Sequence, residues 1–290
     1  MKVEDLDTGE KITWCPGCAN FGILMSVKQA ITNLVNNNKL DLNKVVGVSG
    51  VGCHDKIYDY LNLNFFHTLH GRTLPTLFGI KIGNPELTVI GFGGDGATYA
   101  EGIAHLVHSC RYNIDATFIV FNNQVFSLTT GQATPVSEKG LISPSTPLGI
   151  GEKPVNPISL TLNCGASFVA RGFALDIPHL TKIIEAAIEH RGFSFIDIIE
   201  PCISYHNTTK FLREHVYKLE EANHNSANYE EAMKKAREWD YCYGENAKIP
   251  IGIFYKVEKR TYTEQWPQIR TWHKFERKTD FKKIIEKYKS

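Results

Sequence analysis

The sequence predicts an α/β fold: a doubly wound, mainly parallel sheet with helices on both faces, followed by a C-terminal extension. Short, continuous apolar runs that end at glycine or proline mark strands buried on both faces. Segments of helical periodicity lie between those runs and are long enough to be crossover connections. The length of 290 residues allows one large or two ordinary domains at about 150 residues each.

The first helix is predicted over residues 21–36, where Ile23, Leu24, Val27, Ile31 and Leu34 share a face. Residues 44–49 read as a strand ending at Gly50, and 87–92 as a second strand closed by Gly93 and Gly94. A helix over 98–112 places Ile103, Leu106, Val107 and Cys110 on one side, and 117–121 is a third strand. Residues 160–169 and 177–189 read as helices, and 193–199 as a fourth strand ending at Glu200-Pro201. Residues 131–157 break the alternation, with five of the 12 prolines, and a loop of that length is usually functional or disordered. Residues 211–239 read as charged and helical, 250–257 as a late strand, and the rest as a basic tail carrying Trp266, Trp272 and Phe275. The division expected is an α/β domain over 1–210 and a helical, basic extension over 211–290 that packs on the core or on a partner.

Charge and composition remove several classes. Lys and Arg number 32 against 31 Asp and Glu, so a generally basic nucleic-acid binder is excluded. Only 259–290 is biased, with ten Lys/Arg against four Asp/Glu. No apolar run approaches the ~20 residues of a bilayer span. The N-terminus has no apolar h-region, so no signal peptide is expected. Seven cysteines, an odd count in a chain of this size, point to a reducing, cytoplasmic setting where clustered thiols mean metal or catalysis.

In a doubly wound sheet, ligands sit beyond the carboxyl ends of the strands. The informative residues are then Gly50-Val51-Gly52-Cys53, Gly94-Asp95-Gly96, Asn122-Asn123 and Pro201-Cys202. Asn123 follows Asp95 by 28 residues, one helical crossover, so adjacent strands bring the two together. A carboxylate, an amide oxygen and a nearby carbonyl suit magnesium, which takes few protein ligands and fills its shell with water and phosphate. The glycines allow close backbone approach, and the following helix start offers N–H groups to an anion. Alone, Gly-Asp-Gly is an ordinary strand-to-helix turn; the second motif at crossover distance favours the functional reading.

These motifs resemble the thiamine-diphosphate signature. The run from Asn122 to Gln132 resembles, more specifically, the β subunit of 2-oxoacid:ferredoxin oxidoreductases. By that resemblance Asp95 and the Asn123 side chain ligate Mg2+, with the Val125 carbonyl as third protein ligand. Gly52, Cys53, His70, Gly94, Gly96, Leu128 and Thr129 join them around thiamine diphosphate. The chain departs from the family pattern in places. Ala97 stands where many members are acidic, and Ala19 where a glycine often follows the CxxC. Phe126-Ser127-Leu128-Thr129-Thr130-Gly131-Gln132 replaces the family's Tyr-Gly-Leu-Thr-Lys-Gly-Gln. These changes bear on substrate range and acceptor docking and leave the metal and cluster ligands intact.

Trp14-Cys15-Pro16-Gly17-Cys18 is a CxxC, which serves zinc, iron–sulfur or redox chemistry. Cys53 and Cys202 follow strand ends and so face the edge that carries Asp95 and Asn123. Cys110 and Cys164 fall on apolar helix faces, where a thiol is most often a small core residue, and Cys242 lies in an aromatic turn. The residues alone leave zinc open. The resemblance assigns Cys15, Cys18, Cys53 and Cys202 to one [4Fe–4S] cluster.

His70 and Arg72 flank Gly71 between the first two strands. An arginine can clamp a carboxylate through two parallel hydrogen bonds, and every 2-oxoacid carries one. His70 is expected at the cofactor or substrate and Arg72 at the substrate, although Arg72 equally suits a structural carboxylate.

The resemblance implies a reversible oxidation of a 2-oxoacid with CoA to acyl-CoA and CO2, the electrons leaving through the cluster to ferredoxin. It also implies an α subunit that supplies the pyrimidine side of the site, in a heterodimer or a dimer of heterodimers. The preferred substrate is 2-oxoglutarate, with pyruvate or a broad 2-oxoacid range as the alternative. From other classes, the rivals are a cluster-free thiamine enzyme and a non-catalytic zinc-binding α/β module.

Overall fold

The computed structural model describes residues 1–266, 269 and 280–289; Trp272 and Phe275 of the basic tail lie outside the described residues. The strands are β1 (Val45–Ser49), β2 (Asn64–His67), β3 (Thr88–Gly94), β4 (Ala116–Asn122), β5 (Val125–Phe126), β6 (Gln132–Ala133), β7 (Phe168–Phe173), β8 (Phe193–Ile199), β9 (Val216–Lys218) and β10 (Ile249–Lys256). An eight-stranded sheet runs in the order β2-β1-β3-β4-β8-β7-β10-β9, and β5 with β6 form a separate antiparallel pair. Neighbours in the large sheet are parallel except β7 and β10. The doubly wound, mainly parallel sheet is thus the one expected.

Alternate residues of each strand face opposite layers. In β4, Phe118 and Val120 enter one core with the helices Thr73–Gly83, Ile103–Tyr112, Pro157–Asn163 and Tyr229–Ala236. Ile119 and Phe121 enter the other, against the helices Asn20–Asn36 and Ile177–Glu189. Both faces of the central strands are covered, which is why their sequences are continuously apolar.

Several elements differ from expectation for local reasons. Residues 160–169 are not one helix. The helix Pro157–Asn163 is capped by Asn156, and Gly165 at φ +88° then turns the chain into β7. The span 211–239 splits into the helix Thr209–His215, strand β9 and the helix Tyr229–Ala236. The left-handed Asn223 (φ 53°) and the Asn228 cap lie between the last two. The helix expected over 98–112 begins with a π-helical turn, Ala97–Glu101, before the α-helix Ile103–Tyr112. Strand β2, the helix Thr73–Gly83 and the β5–β6 pair were not legible as elements. The late strand, β10, lies inside the main sheet and is antiparallel to β7. Among the described helices none is long and apolar enough to cross a membrane.

Candidate functional site

Strands β1, β3, β4 and β8 are consecutive in the sheet, with Ser49 opposite Phe92, Gly94 opposite Phe121, and Asn122 opposite Ile199. Their carboxyl ends therefore set residues 50–54, 94–96, 122–125 and 200–202 along one edge. Two cavities open there.

The first, about 70 Å3, is lined by every residue the sequence assigned to the cofactor: Gly52, Cys53, His70, Gly94, Asp95, Gly96, Asn123, Val125, Leu128 and Thr129. Asp95 is buried, and Thr134 of the proline-rich loop donates to its Oδ2 at 2.7 Å. Burial pushes its carboxyl up to about 7, and the charge of Asp197 adds to the rise. A buried carboxylate with only hydroxyl and backbone donors is a place where a cation is favoured. The Val125 N–H donates to Asn123 Oδ1 at 3.1 Å, which fixes the amide. These oxygens, with the Val125 carbonyl, are a donor set of the kind magnesium takes.

The glycines have a further reason beyond backbone approach. A Cβ on Gly94 would meet His54 Nδ1 at 2.7 Å, and one on Gly96 would meet the Phe126 ring at 2.2 Å. Neighbouring rings occupy the space that side chains would need. His54 is a lining residue that sequence reasoning missed. It is buried between Gly52 and Gly94, and burial, with His70 and His67 nearby, lowers its pKa to about 3. Its Nε2 has no hydrogen-bond partner among the described residues.

His70 lies in the lining with Nδ1 3.2 Å from Glu101 Oε2 and its ring 5.9 Å from Phe126. Arg72 does not join it. The Gly71 turn (φ +69°) sends Arg72 to the surface, where Nη1 lies 3.3 Å from the carbonyl oxygens of Gly71 and Glu101. It lines neither cavity, so the structure gives the expected carboxylate clamp no support.

The second cavity, about 230 Å3, is lined by Cys15, Cys18, Cys53 and Cys202 together. Burial raises the Cys18 thiol to about 12, helped by the Glu200 charge, and burial also raises Cys53. Among the described residues no three His, Cys, Asp or Glu side chains converge closely enough to hold one metal ion. The four thiols line one cavity, and such a donor set serves zinc and iron–sulfur clusters alike. Trp14 Nε1 donates to the Cys53 carbonyl at 2.7 Å and so ties the CxxC to the β1 turn. Cys110 is in the core, Cys164 packs partly against it, and Cys242 is exposed.

The cavities share Cys53, Asn123, Ser127 and Leu128. Beside that wall, in the lining of the second cavity, lies Glu200, which sequence reasoning noted only as a strand end. It is buried, its carboxyl is pushed up to about 8 by burial and by Asp95, and its Oε1 is 3.5 Å from Asn123 Nδ2. Deeper still, Asp197 accepts from Tyr99 at 2.6 Å, Tyr241 at 2.7 Å and Asn122 at 3.0 Å. Arg171 Nε is 3.8 Å from Asp197, and its guanidinium carbon lies 5.1–5.6 Å from the rings of Trp239, Tyr241 and Phe254. No local motif announces this network, because its members come from six separate segments.

Residues 50–198 match the family described as thiamine pyrophosphate enzyme, C-terminal TPP binding domain. Residues 202–271 match the family described as the C-terminal part of the pyruvate ferredoxin oxidoreductase beta subunit. The chain is 42% identical over 264 residues to a 2-oxoacid:ferredoxin oxidoreductase subunit beta of Saccharolobus solfataricus, covering 87% of this chain and 84% of that one. It is 39% identical over 189 residues to a 2-oxoglutarate synthase subunit KorB of Archaeoglobus fulgidus, covering 65% and 69%. Among solved structures it matches a 2-oxoglutarate:ferredoxin oxidoreductase from Magnetococcus marinus with 2-oxoglutarate, coenzyme A and succinyl-CoA bound. That match has a TM-score of 0.89 and 32% identity, and covers 100% of this chain and 97% of that one.

Proposed function

The chain belongs to the family of 2-oxoacid:ferredoxin oxidoreductase β subunits, and from that premise we propose that it is the thiamine-diphosphate and [4Fe–4S] subunit of an enzyme oxidising 2-oxoglutarate. The observation that carries the reading is the shared wall. A cavity with a magnesium-type donor set and a cavity ringed by four thiols meet at Cys53, Asn123, Ser127 and Leu128. A lone zinc module has no use for that arrangement, and a cluster-free thiamine enzyme has none for the four thiols.

Thiamine diphosphate supplies the carbanion chemistry of decarboxylation, and the cluster beside it supplies a one-electron acceptor. Asp95, Asn123 and the Val125 carbonyl would hold Mg2+ at the diphosphate. Cys15, Cys18, Cys53 and Cys202 would hold the cluster. Glu101 Oε2 lies 3.2 Å from Nδ1 of His70 and orients the ring in the wall of the first cavity. Thr134 and the buried end of the proline-rich loop keep water off the Asp95 carboxylate.

Exposed apolar side chains surround these cavities in the single chain: Leu69, Leu128 and Tyr205 are 76%, 50% and 51% exposed. Such side chains beside a site support a covering partner, which in this reading is the α subunit with the pyrimidine-side residues. CoA and ferredoxin complete the reaction, and the setting is cytoplasmic. The preference for 2-oxoglutarate rests on the relatives so named. Steady-state rates of the assembled enzyme with 2-oxoglutarate and with pyruvate test it. A kcat/KM at least as high for pyruvate rejects 2-oxoglutarate as the substrate. About four irons and four sulfides per chain are expected; one zinc in their place rejects the cluster.

A further inference from the structure

We propose that the Thr134 hydroxyl makes the metal site at the diphosphate selective for Mg2+ over Ca2+, by holding Asp95 Oδ2 so that the carboxylate gives a cation one oxygen instead of two. The inference rests on the magnesium reading above.

Thr134 follows β6 at the base of the proline-rich loop and is buried. Its hydroxyl has one proton to give, and that proton goes to Asp95 Oδ2 at 2.7 Å. The hydroxyl is itself anchored from behind. The Thr134 N–H donates to Ser137 Oγ at 2.8 Å, and the Ser137 N–H returns to the Thr134 carbonyl at 3.0 Å. The Ser137 hydroxyl donates to the Gln124 carbonyl, and Gln124 Nε2 donates to the Val136 carbonyl at 2.7 Å. The Val155 N–H donates to the Pro135 carbonyl at 2.8 Å, so the far end of the loop closes on the same turn. Val136 and Ser137 are buried with Thr134. A chain of hydrogen bonds thus runs from the carboxylate of one metal motif, through Thr134 and Ser137, to the residue beside Asn123 in the other.

The two cations ask different things of such a site. Mg2+ demands near-ideal octahedral geometry at about 2.0–2.1 Å. Ca2+ accepts about 6–8 oxygens at about 2.3–2.6 Å in flexible arrangements and takes a carboxylate through one oxygen or both. A hydroxyl proton on Oδ2 opposes the two-oxygen mode, because that oxygen already serves a donor. The anchor behind Thr134 keeps the donor in place when a larger ion pulls on the carboxylate. Without the hydroxyl, the carboxylate is free to turn both oxygens to the larger ion.

The test is calorimetric titration of thiamine diphosphate into the assembled enzyme, stripped of cofactor and divalent ions, at a series of Mg2+ or Ca2+ concentrations. The quantity read is the ratio of the Ca2+ to the Mg2+ concentration that gives half-maximal binding. In the wild type Mg2+ is expected to act at the lower concentration. Thr134→Val, which keeps the shape and removes the hydroxyl, is expected to lower the ratio about tenfold, the low end of what partners of a metal ligand contribute to affinity. Thr134→Ser, which keeps the hydroxyl, is expected to restore it. A merely structural role weakens both cations together and leaves the ratio unmoved. Ser137→Ala, which loosens the anchor and keeps the Thr134 hydroxyl, is expected to raise both concentrations and move the ratio less. If the valine variant does not fold, Thr134→Ala carries the measurement. A ratio within about twofold of wild type in a folded variant without the hydroxyl overturns the proposal and leaves the metal ligands standing. So does a ratio moved as far by Ser137→Ala as by Thr134→Val, or a wild type that acts at lower Ca2+ than Mg2+. Wild-type enzyme that binds the cofactor with neither cation overturns the magnesium reading as well.

Discussion

Asp95→Asn should have opposite effects on the bare chain and on the cofactor-loaded one. Burial raises the Asp95 carboxyl from 3.8 to about 7. A carboxylate whose folded pKa lies above its unfolded value binds more protons folded than unfolded, so stability falls as pH rises from about 4 to about 7. Three pKa units at 1.36 kcal/mol each make the ionised group destabilising by about 4 kcal/mol at pH 8. Asparagine removes that charge and loses part of the hydrogen bond from Thr134, worth about 1 kcal/mol. In protein stripped of divalent ions, the variant should therefore be about 3 kcal/mol more stable than wild type at pH 8 and close to it at pH 4. With Mg2+ and thiamine diphosphate present the order should reverse, because the variant loses the charged ligand. Denaturant titrations at the two pH values, with and without Mg2+ and cofactor, read all four conditions. A variant no more stable than wild type at pH 8 without metal refutes the buried-charge argument. Unchanged Mg2+-dependent cofactor affinity refutes the ligand assignment.

Cys202→Ala and Cys53→Ala should each remove the cluster, while Cys110→Ala, in the core, should retain it; iron analysis decides, and full iron in Cys202→Ala means the fourth ligand lies elsewhere. The isolated chain should show no 2-oxoacid oxidation until the α subunit is added, and turnover by the chain alone would show that the site is complete within it. Tyr241→Phe removes one of the hydrogen bonds to the buried Asp197 and should destabilise the protein by about 1.5–3 kcal/mol, the range for bonds to charged groups, as measured by chemical denaturation. Arg72→Ala should change kcat and KM for the 2-oxoacid less than twofold, since its guanidinium rests on two backbone carbonyls; a large rise in KM would restore the clamp.

The parts of this site that were legible in the sequence are those that a strand end places. A continuous apolar run stops where the sheet stops, so Gly94-Asp95-Gly96, Asn122-Asn123, Cys53 and Pro201-Cys202 could be set on one edge before any coordinates. Strand β8 emerges at its observed limits for the same reason. What failed was decided by short-range ambiguity or by long-range packing. Leu160, Leu162, Phe168 and Val169 satisfy a helical spacing, yet Gly165 divides them between a helix and β7; a short apolar run does not separate the two states. Arg72 and His70 look equivalent around Gly71, and only the direction of that turn puts one in the cavity and the other on the surface. His54 could have been found from a single hint, the glycines at 52 and 94 that make room for its ring.

The C-terminal segment shows how a region with no residue in either cavity still bears on both. The described residues after 210 line neither, yet Tyr241 donates to Asp197, which also holds Asn122, and Tyr243 donates to Gln124. Gln124 is left-handed (φ 63°), and its Nε2 donates to the Val136 carbonyl at 2.7 Å. The two residues flanking Asn123 are thus held by tyrosines from beyond 240, and the second is also held by the proline-rich loop. A non-glycine residue at positive φ persists only where its surroundings compensate the strain, about 1–3 kcal/mol. The compensation at Gln124 comes from Tyr243 and Val136. The turn that sets Asn123 in the wall of both cavities and beside Ser127 therefore owes part of its shape to the loop that precedes β10. Tyr241 and Tyr243 are in this sense part of the site's frame, and the geometry of the shared wall depends on them.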